Sequence, residues 1–330
     1  MITKKRFTLL CFALAAVCLP ASILADNAML SRADVRAYIQ NISETRNLDA
    51  NRLSNLFAEI ESQQSVLDAI SKPAERVLTW KEYRRIFLTE KRINAGHEFM
   101  LKHADTLARA EQTYGVPASV IAAIIGVETF YGRITGKHGV LESVATLAFD
   151  YPPRSPFFKS ELDAFLVLAL AENWDVLSVK GSYAGAMGWP QFIASSYQAY
   201  SVDFDGDGTR DLFNSLPDVI GSVANYLDRH GWRSGDPVAQ RLQVPADKTE
   251  RIDALLRKSL KPVISPVTLQ RMGFDVSGEK PVSVKKFAGK GGEETWVGYT
   301  NFYAITRYNH SALYALAVHQ LSLELARKSQ

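Results

Sequence analysis

Apolar residues recur every three or four positions through much of the stretch from residue 31 to residue 110. Two clear sets are Val35, Tyr38 and Ile39, and then Leu53, Leu56, Phe57 and Ile60. This spacing places apolar side chains on one face of a helix. Glycine is nearly absent here, and Pro73 marks a break. The pattern predicts an N-terminal helical region, which we place at residues 26–110.

Helical spacing returns in the middle of the chain and near its end. Gly115 and Pro117 suit the end of one helix and the first turn of the next. The helices predicted after them cover residues 118–131, 158–173, 218–230 and 310–326. We therefore predict a helical core at residues 111–232, and a C-terminal helical segment at residues 300–330 that completes it.

Residues 233–299 differ in composition from the helical parts. Prolines recur in this stretch at Pro237, Pro245, Pro262, Pro266 and Pro281. Two β-prone runs, residues 281–287 and 294–299, stand between glycines, which indicates a small strand-containing insertion. The predicted fold class is therefore mainly α, of the α+β type.

The first 25 residues have the features of a secretory signal peptide. Basic residues 4–6 precede an apolar run at residues 7–19, and Ala25 closes a segment of small residues. The run is shorter than the ~20 residues of a membrane-spanning helix, although an uncleaved anchor is the alternative. The residues before Cys11 and Cys18 do not suit lipid attachment. We expect a soluble periplasmic protein that is exported by a cleavable signal peptide and is not a lipoprotein.

Charge and cysteine content argue against several classes of protein. Without its first 25 residues the chain has 35 basic residues, 35 acidic residues and no cysteine. Balanced charge disfavours a nucleic-acid partner, and a mature chain without cysteine has no disulfide framework. The sequence also lacks a glycine-rich phosphate loop and a Gly-x-Ser-x-Gly elbow, so nucleotide and esterase chemistry have no support.

The candidate catalytic group is Glu128, near the end of the apolar stretch YGVPASVIAAIIGVETFYG at residues 114–132. On a helix it shares a face with three isoleucines, Ile121, Ile124 and Ile125. An apolar setting disfavours the carboxylate anion and raises its pKa, as a general acid requires. Gly126 is expected to leave room for a bulky substrate. The alternative is a helix-end glutamate that points to solvent or pairs with Arg133.

A second candidate segment, residues 180–192, reads KGSYAGAMGWPQF. Its closely spaced glycines allow the backbone to come near a ligand. Ser182 and Gln191 supply hydrogen-bonding groups, while Tyr183 and Trp189 offer flat faces for a sugar ring. By itself the segment is equally compatible with a structural turn.

Residues 203–214, which read DFDGDGTRDLFN, have the spacing of an EF-hand calcium loop. The ligands predicted from this spacing are Asp203, Asp205, Asp207, Thr209 and Asp211. Gly208 takes the sixth position, and Asn214 replaces the usual glutamate at the twelfth. Oxygen ligands suit calcium and do not suit zinc. We expect a structural Ca²⁺ that takes no part in bond cleavage, and the alternative is a turn that holds no ion.

Five segments in order resemble the lytic murein transglycosylases of the B type, soluble or membrane-bound, which have a goose-lysozyme-like core. They are YGVPASVIAAIIGVETFYGR, LESVATLAFDYPPR, VKGSYAGAMGWPQFIASSYQAYSVDFDGDG, IGSVANYLDRHGW and NFYAITRYNHSALYALAV. The resemblance extends from about Trp80 to the C terminus. It implies a lysozyme-like catalytic core that cuts the glycan strands of peptidoglycan.

The resemblance also implies roles for single residues. Glu128 matches the catalytic glutamate of the family's GVET motif. Substrate-binding positions of the family match Ser182, Gln191, Tyr226, Tyr308, Asn309, Tyr314 and, less closely, Tyr83. Arg154 keeps one of two arginines of the family, and Pro153 replaces the other, which argues against a bidentate grip on the peptide stem. Asp218 matches an acid that closes the metal loop.

One carboxylate suffices for the implied reaction, in which Glu128 acts first as acid and then as base and leaves 1,6-anhydromuramic acid ends. A lysozyme-type hydrolase needs a second acid, for which Glu142 and Asp150 are candidates. A non-catalytic wall-binding protein that recruits other enzymes is a further alternative. The expected partners are glycan strands and, as candidates, proteins of cell-wall synthesis or remodelling. We expect a monomer that needs no cofactor for catalysis.

Overall fold

The structure is a computed structural model that describes residues 29–72 and 78–327. The predicted signal peptide, the predicted break at Pro73 and the last three residues lie outside this part of the chain. Within the described ranges, no helix combines the length and the apolar character that crossing a membrane requires.

The N-terminal part of the described chain is helical. Its helices are α1 (Ala33–Arg46), α2 (Ala50–Ala58), α3 (Gln64–Ile70), α4 (Trp80–Phe87), α5 (Glu90–Lys102) and α6 (Ala104–Tyr114). Side chains satisfy free backbone N–H groups where three of these helices begin, namely α2, α4 and α5. The Asp49 carboxylate accepts from Asn51 N at the start of α2, and Thr79 and Glu82 form a capping box at the start of α4.

The central part surrounds one mainly apolar helix. Its elements are α7 (Ala118–Thr129), β1 (His138–Gly139), α8 (Val140–Asp150), α9 (Ser155–Ala171), β2 (Lys180–Gly181), α10 (Ala194–Tyr200) and α11 (Leu216–Arg229). The two short strands pair antiparallel. Between Val120 and Val127 every residue of α7 is apolar and buried, which is the pattern of a helix that other elements surround.

A small sheet follows, with its own apolar core. The elements are β3 (Ala239–Leu242), α12 (Thr249–Asp253), α13 (Pro266–Arg271), β4 (Ser283–Gly289) and β5 (Gly292–Gly298). The strands are antiparallel in the order β3-β5-β4, with Val284 opposite Val297. Leu269, Val282 and Val297 are fully buried in this second core.

The chain then returns to the main core through α14 (Thr300–Tyr308) and α15 (Ala312–Arg327). A single helix was predicted in the C-terminal segment, at residues 310–326, but the structure has two helices there. The extended backbone of Asn309 ends α14 and separates it from α15. Helix α15 packs along α7. The predicted fold class, mainly helical with a small strand-containing part, is confirmed, while the exact boundaries between the parts stay a prediction.

Candidate active site

Glu128 lies in the last turn of α7 and is the one residue between Val120 and Thr129 that is not buried. The predicted helix over residues 118–131 ends two residues early, at Thr129. Phe130 and Tyr131 take left-handed backbone angles, with φ of 52° and 57°, and these end the helix. The carboxyl group of Glu128 therefore lies at the surface of the core, at the end of this helix.

The hydroxyl of Tyr314 donates a hydrogen bond to Glu128 Oε1 at 2.5 Å. Tyr314 projects from α15, is 2% exposed, and reaches Glu128 because α15 packs along α7. Burial and then the charge of Glu128 raise the pKa of Tyr314 well above its usual value. The tyrosine therefore remains a protonated donor to the carboxyl group at any physiological pH.

Tyr226 and Tyr308 stand beside Tyr314. The rings of Tyr308 and Tyr314 are nearly parallel with centroids 6.3 Å apart, and Tyr226 lies 4.7 Å from Tyr308. The hydroxyls of Tyr226 and Tyr308 donate to the carbonyl oxygens of Arg307 and Pro190, each at 2.6 Å. Burial is the main cause that raises the pKa of both tyrosines, and the charge of Glu128 adds to it. These three rings form a tyrosine wall (Tyr226, Tyr308 and Tyr314) around the carboxyl group.

Ser182 and Gln191 lie in the loop that follows β2. Ser182 Oγ accepts from the backbone N–H groups of Ala184 and Ala186, at 3.2 and 3.1 Å. The side-chain amide of Gln191 donates to the carbonyl oxygens of Thr135 and Gly188, both at 2.9 Å. Both side chains are half-buried and fixed by backbone groups, so the loop is shaped before any ligand arrives.

The remaining three predicted binding residues, Tyr83, Asn309 and Arg154, differ in how deeply they are buried. Tyr83 is only 1% exposed and packs on Phe87, so it lies beneath the site and not on its surface. Asn309 is half-buried and directly follows α14. Arg154 is exposed and stacks on Phe157 at 4.1 Å.

His310 and two arginines mark the end of the site near Asn309. Partial burial of the ring lowers the pKa of His310, and the positive charges of Arg307 and Arg154 lower it further. Arg154 therefore acts electrostatically on His310, in the loop that joins α14 to α15, while its place in the binding site stays a prediction.

The space predicted at Gly126 is not available to a substrate. A methyl group at Gly126 would lie 2.5 Å from the hydroxyl of Tyr131, whose ring fills this place. Gly126 therefore allows the turn after α7 to fold back on the helix, and the expectation of substrate access there is wrong.

Thr129 is a polar residue that the sequence analysis did not single out. It is fully buried, and its hydroxyl donates to Trp189 O at 3.0 Å and accepts from Gly132 N at 3.0 Å. The sequence could have pointed to Thr129, because it directly follows the candidate acid in a helix predicted to be buried. Buried hydroxyl groups are nearly always hydrogen-bonded.

The two candidate second acids differ in their surroundings. Asp150 is paired with Arg32 at 2.6 Å and accepts from Ser62 Oγ at 2.6 Å. The Glu142 carboxylate lies over Gly139, where an added methyl group would be 2.8 Å from it. Among the described residues, Glu128 is the one acid whose charge raises the pKa values of all three tyrosines in the tyrosine wall.

The acidic loop brings three carboxylates together: Asp203, Asp205 and Asp218 offer oxygen atoms that all lie within 4.8 Å of one another. Asp218 is fully buried, and burial, together with the charge of Asp205, raises its pKa. A buried carboxylate beside other carboxylates suits a cation with oxygen ligands.

The other predicted ligands lie outside this cluster. Asp207 Oδ1 accepts from the backbone and side chain of Thr209, at 2.8 and 2.7 Å. Asp211 accepts from Phe213 N and Asn214 N in its own turn. The tertiary structure therefore favours Asp218 over Asp207 and Asp211 as a partner of the first two aspartates.

A carboxyl group that is held by a tyrosine at the end of a buried helix can serve as a general acid, and the mainly helical fold places it at the surface of the core. The family model described as "Transglycosylase SLT domain" matches residues 31–323, and the chain belongs to this family. It is a lytic murein transglycosylase that acts on peptidoglycan.

Individual relatives agree with this assignment. The chain is 37% identical over 306 residues to membrane-bound lytic murein transglycosylase B of Escherichia coli (strain K12). This alignment covers 89% of this chain and 82% of that protein. Soluble lytic transglycosylase SltB1 of Pseudomonas aeruginosa is 46% identical with a TM-score of 0.84, over 90% of this chain and 99% of that one. Escherichia coli Slt35, solved in complex with calcium, is 37% identical with a TM-score of 0.81, over 93% and 95%.

Proposed function

We propose that this transglycosylase cuts the β-1,4 bond between N-acetylmuramic acid and N-acetylglucosamine and leaves 1,6-anhydromuramic acid ends. The observation that carries the proposal is the 2.5 Å hydrogen bond from Tyr314 to Glu128, at a site where Glu128 is the acid that acts on the surrounding tyrosines. One positioned carboxyl group can serve as acid in one step and as base in the next.

In the first step, protonated Glu128 gives its proton to the bridging oxygen, and the bond between this oxygen and the anomeric carbon breaks. The substrate's own N-acetyl group stabilises the positive charge that develops on the carbon. In the second step, ionised Glu128 takes the proton of the 6-hydroxyl while that oxygen bonds to the same carbon. Atoms and charge balance without water. Tyr314 donates a hydrogen bond to Oε1 of this carboxyl group and so fixes its position.

The remaining predicted binding residues are proposed to hold the sugars. Ser182, Gln191 and Asn309 are half-buried and supply hydrogen-bonding groups, and Tyr308 adds a ring face to the tyrosine wall. Fixed side chains of this kind lower the barrier by orienting the reacting sugar. Tyr83 is buried, and we propose that it supports Tyr314 from below, since the two phenol groups are close enough to interact electrostatically. Arg154 is proposed to meet an anionic group of the substrate.

The products released from isolated sacculi test this proposal. We expect muropeptides that end in 1,6-anhydromuramic acid, which are one water molecule lighter than their reducing counterparts in mass spectrometry. Reducing ends would instead establish a hydrolase that uses a second acid. Binding to sacculi without any product would favour the non-catalytic recruitment protein.

We propose that Asp203, Asp205 and Asp218 hold a structural calcium ion. The three carboxylates are oxygen ligands of the kind that calcium prefers, and relative Slt35 was solved in complex with calcium. A bound ion would neutralise the charge on this loop and stabilise the folded state. It takes no part in bond cleavage in this proposal.

Calcium is expected to raise the melting temperature of the wild-type protein, and a chelator should reverse the rise. A free concentration of 100 times Kd corresponds to about 2.7 kcal/mol of stabilisation. Asp218→Asn should lose most of this calcium-dependent rise. Asp207→Asn, outside the carboxylate cluster, is the matched control and should keep it. Scanning fluorimetry with and without calcium measures the rise in melting temperature for each variant. If only Asp207→Asn lost this rise, the ligand set predicted from EF-hand spacing would be favoured over the carboxylate cluster.

We propose that residues 1–25 direct export to the periplasm and are then removed. The support is the basic start, the short apolar run and the small residues before position 26. The Escherichia coli relative is named as membrane-bound. N-terminal sequencing of the mature protein should begin at Asp26, and a mature chain that begins at Met1 would point to an uncleaved anchor.

A further inference from the structure

The hydroxyl of Thr129 joins three parts of the molecule beside the catalytic acid. It belongs to the last residue of α7, donates to the carbonyl oxygen of Trp189 at 3.0 Å, and accepts from Gly132 N at 3.0 Å. The carbonyl oxygen of Ile125, one turn back in α7, lies 3.3 Å away as a weaker second acceptor. Thr129 is fully buried, so water does not replace these bonds if they are lost.

The turn that this hydroxyl holds is costly to form. Phe130, Tyr131 and Gly132 are consecutive residues with left-handed backbone, with φ of 52°, 57° and 78°. For residues with a side chain this conformation costs about 1–2 kcal/mol each. A side chain at Gly132 would also collide with the ring of Trp189. Such a turn persists only where surrounding contacts hold it.

Trp189 is itself anchored from the other side. Its backbone N–H donates to the carbonyl oxygen of Leu212 at 3.0 Å, and Leu212 is fully buried within the acidic loop. A methyl group at the neighbouring Gly188 would collide with the same carbonyl oxygen, so the two loops pack closely. Thr129 therefore connects the end of α7 to a fixed part of the core.

We propose that Thr129 is a positioning residue for Glu128: its hydroxyl fixes the last turn of α7, and this fixes the direction in which the carboxyl group meets Tyr314 and the sugar. The inference rests on the proposed catalytic role of Glu128. Thr129 does not touch the substrate. A displacement of about 1 Å in a catalytic group can lower turnover up to 10²-fold, and the loss falls on kcat because proton transfer occurs in the transition state.

Four side chains at position 129 distinguish the effect of the hydroxyl group on turnover from the effect of the methyl group. Threonine has both, Thr129→Ser has the hydroxyl alone, Thr129→Val has the methyl position without the hydroxyl, and Thr129→Ala has neither. On soluble glycan strands, well below every melting temperature, kcat should follow the hydroxyl. Valine and alanine should lose about tenfold or more in kcat with KM within about twofold, while serine stays within about threefold of wild type.

Thr146→Val is the matched control, because Thr146 is also fully buried in a helix and its hydroxyl accepts from Gln63 N at 3.0 Å. It should lower the melting temperature and leave kcat unchanged. Equal losses in the serine and valine variants, a change in KM alone, or an unchanged kcat in the valine variant would each overturn the proposal. If the valine variant does not fold, the comparison of alanine with serine differs by the same hydroxyl and decides the question.

Failure of this inference is distinct from failure of the proposed function. Full turnover in Glu128→Gln would remove the catalytic assignment itself. Loss of turnover in Glu128→Gln with full kcat in both hydroxyl-free variants would remove only the role of Thr129.

Discussion

Glu128→Gln is expected to lower the turnover of glycan strands by about 10⁴-fold, the upper end of the range for general acid–base catalysis. One residue performs both proton transfers, so its amide analogue can make neither. The substitution keeps the shape of the side chain, and the carbonyl oxygen of the introduced amide can still accept from the hydroxyl of Tyr314. Release of muropeptides and sedimentation with sacculi measure cleavage and binding separately, and binding should remain close to that of the wild type.

Glu142→Gln is the control that tests for a second acid. It should keep turnover within a few-fold of wild type, because the proposed reaction uses one carboxylate. Asp150→Asn is less suitable, since it would also break the contacts with Arg32 and Ser62 and so lower stability. Loss of turnover in Glu142→Gln with a normal melting temperature would establish two acids and hydrolysis, and unchanged turnover in Glu128→Gln would refute the catalytic assignment.

Tyr314→Phe is expected to lower kcat by about 10- to 100-fold, the second largest effect. Hydrogen bonds to charged groups contribute about 1.5–3 kcal/mol, and this one is short, part-buried and made to the carboxyl group proposed as the catalyst. Without it the carboxyl group loses both a donor and its fixed orientation. Steady-state kinetics on soluble glycan strands, together with the melting temperature, measure the effect.

Tyr308→Phe is the matched control for the tyrosine wall. Tyr308 is stacked beside Tyr314, but its hydroxyl donates to the carbonyl oxygen of Pro190 and not to Glu128. We expect a lower melting temperature and a smaller loss of kcat than in Tyr314→Phe. Equal losses in the two variants would show that packing of the wall, and not the bond to Glu128, carries the effect.

Several features of this protein could be predicted from the sequence because they depend on neighbours within a few residues. The three- and four-residue spacing predicted the helices, and the proline-rich stretch predicted the small sheet part. Glu128 stood out because its helix is otherwise apolar, and the GVET motif indicated its role. The EF-hand spacing led to two of the three aspartates in the carboxylate cluster, Asp203 and Asp205.

The tertiary structure decided what depends on contacts between distant residues. Tyr314 is 186 positions from Glu128, and only the packing of α15 against α7 brings the two together. The end of α7 came two residues earlier than predicted, because Tyr131 folds back over Gly126 in a backbone conformation that local propensity disfavours. Asp218, which the family resemblance had matched to the closing acid of the loop, lies with the first two aspartates because α11 places it there, while Asp207 and Asp211 lie outside the cluster. Short-range spacing determines which elements form and which side chains share a face, whereas packing determines which of these side chains meet.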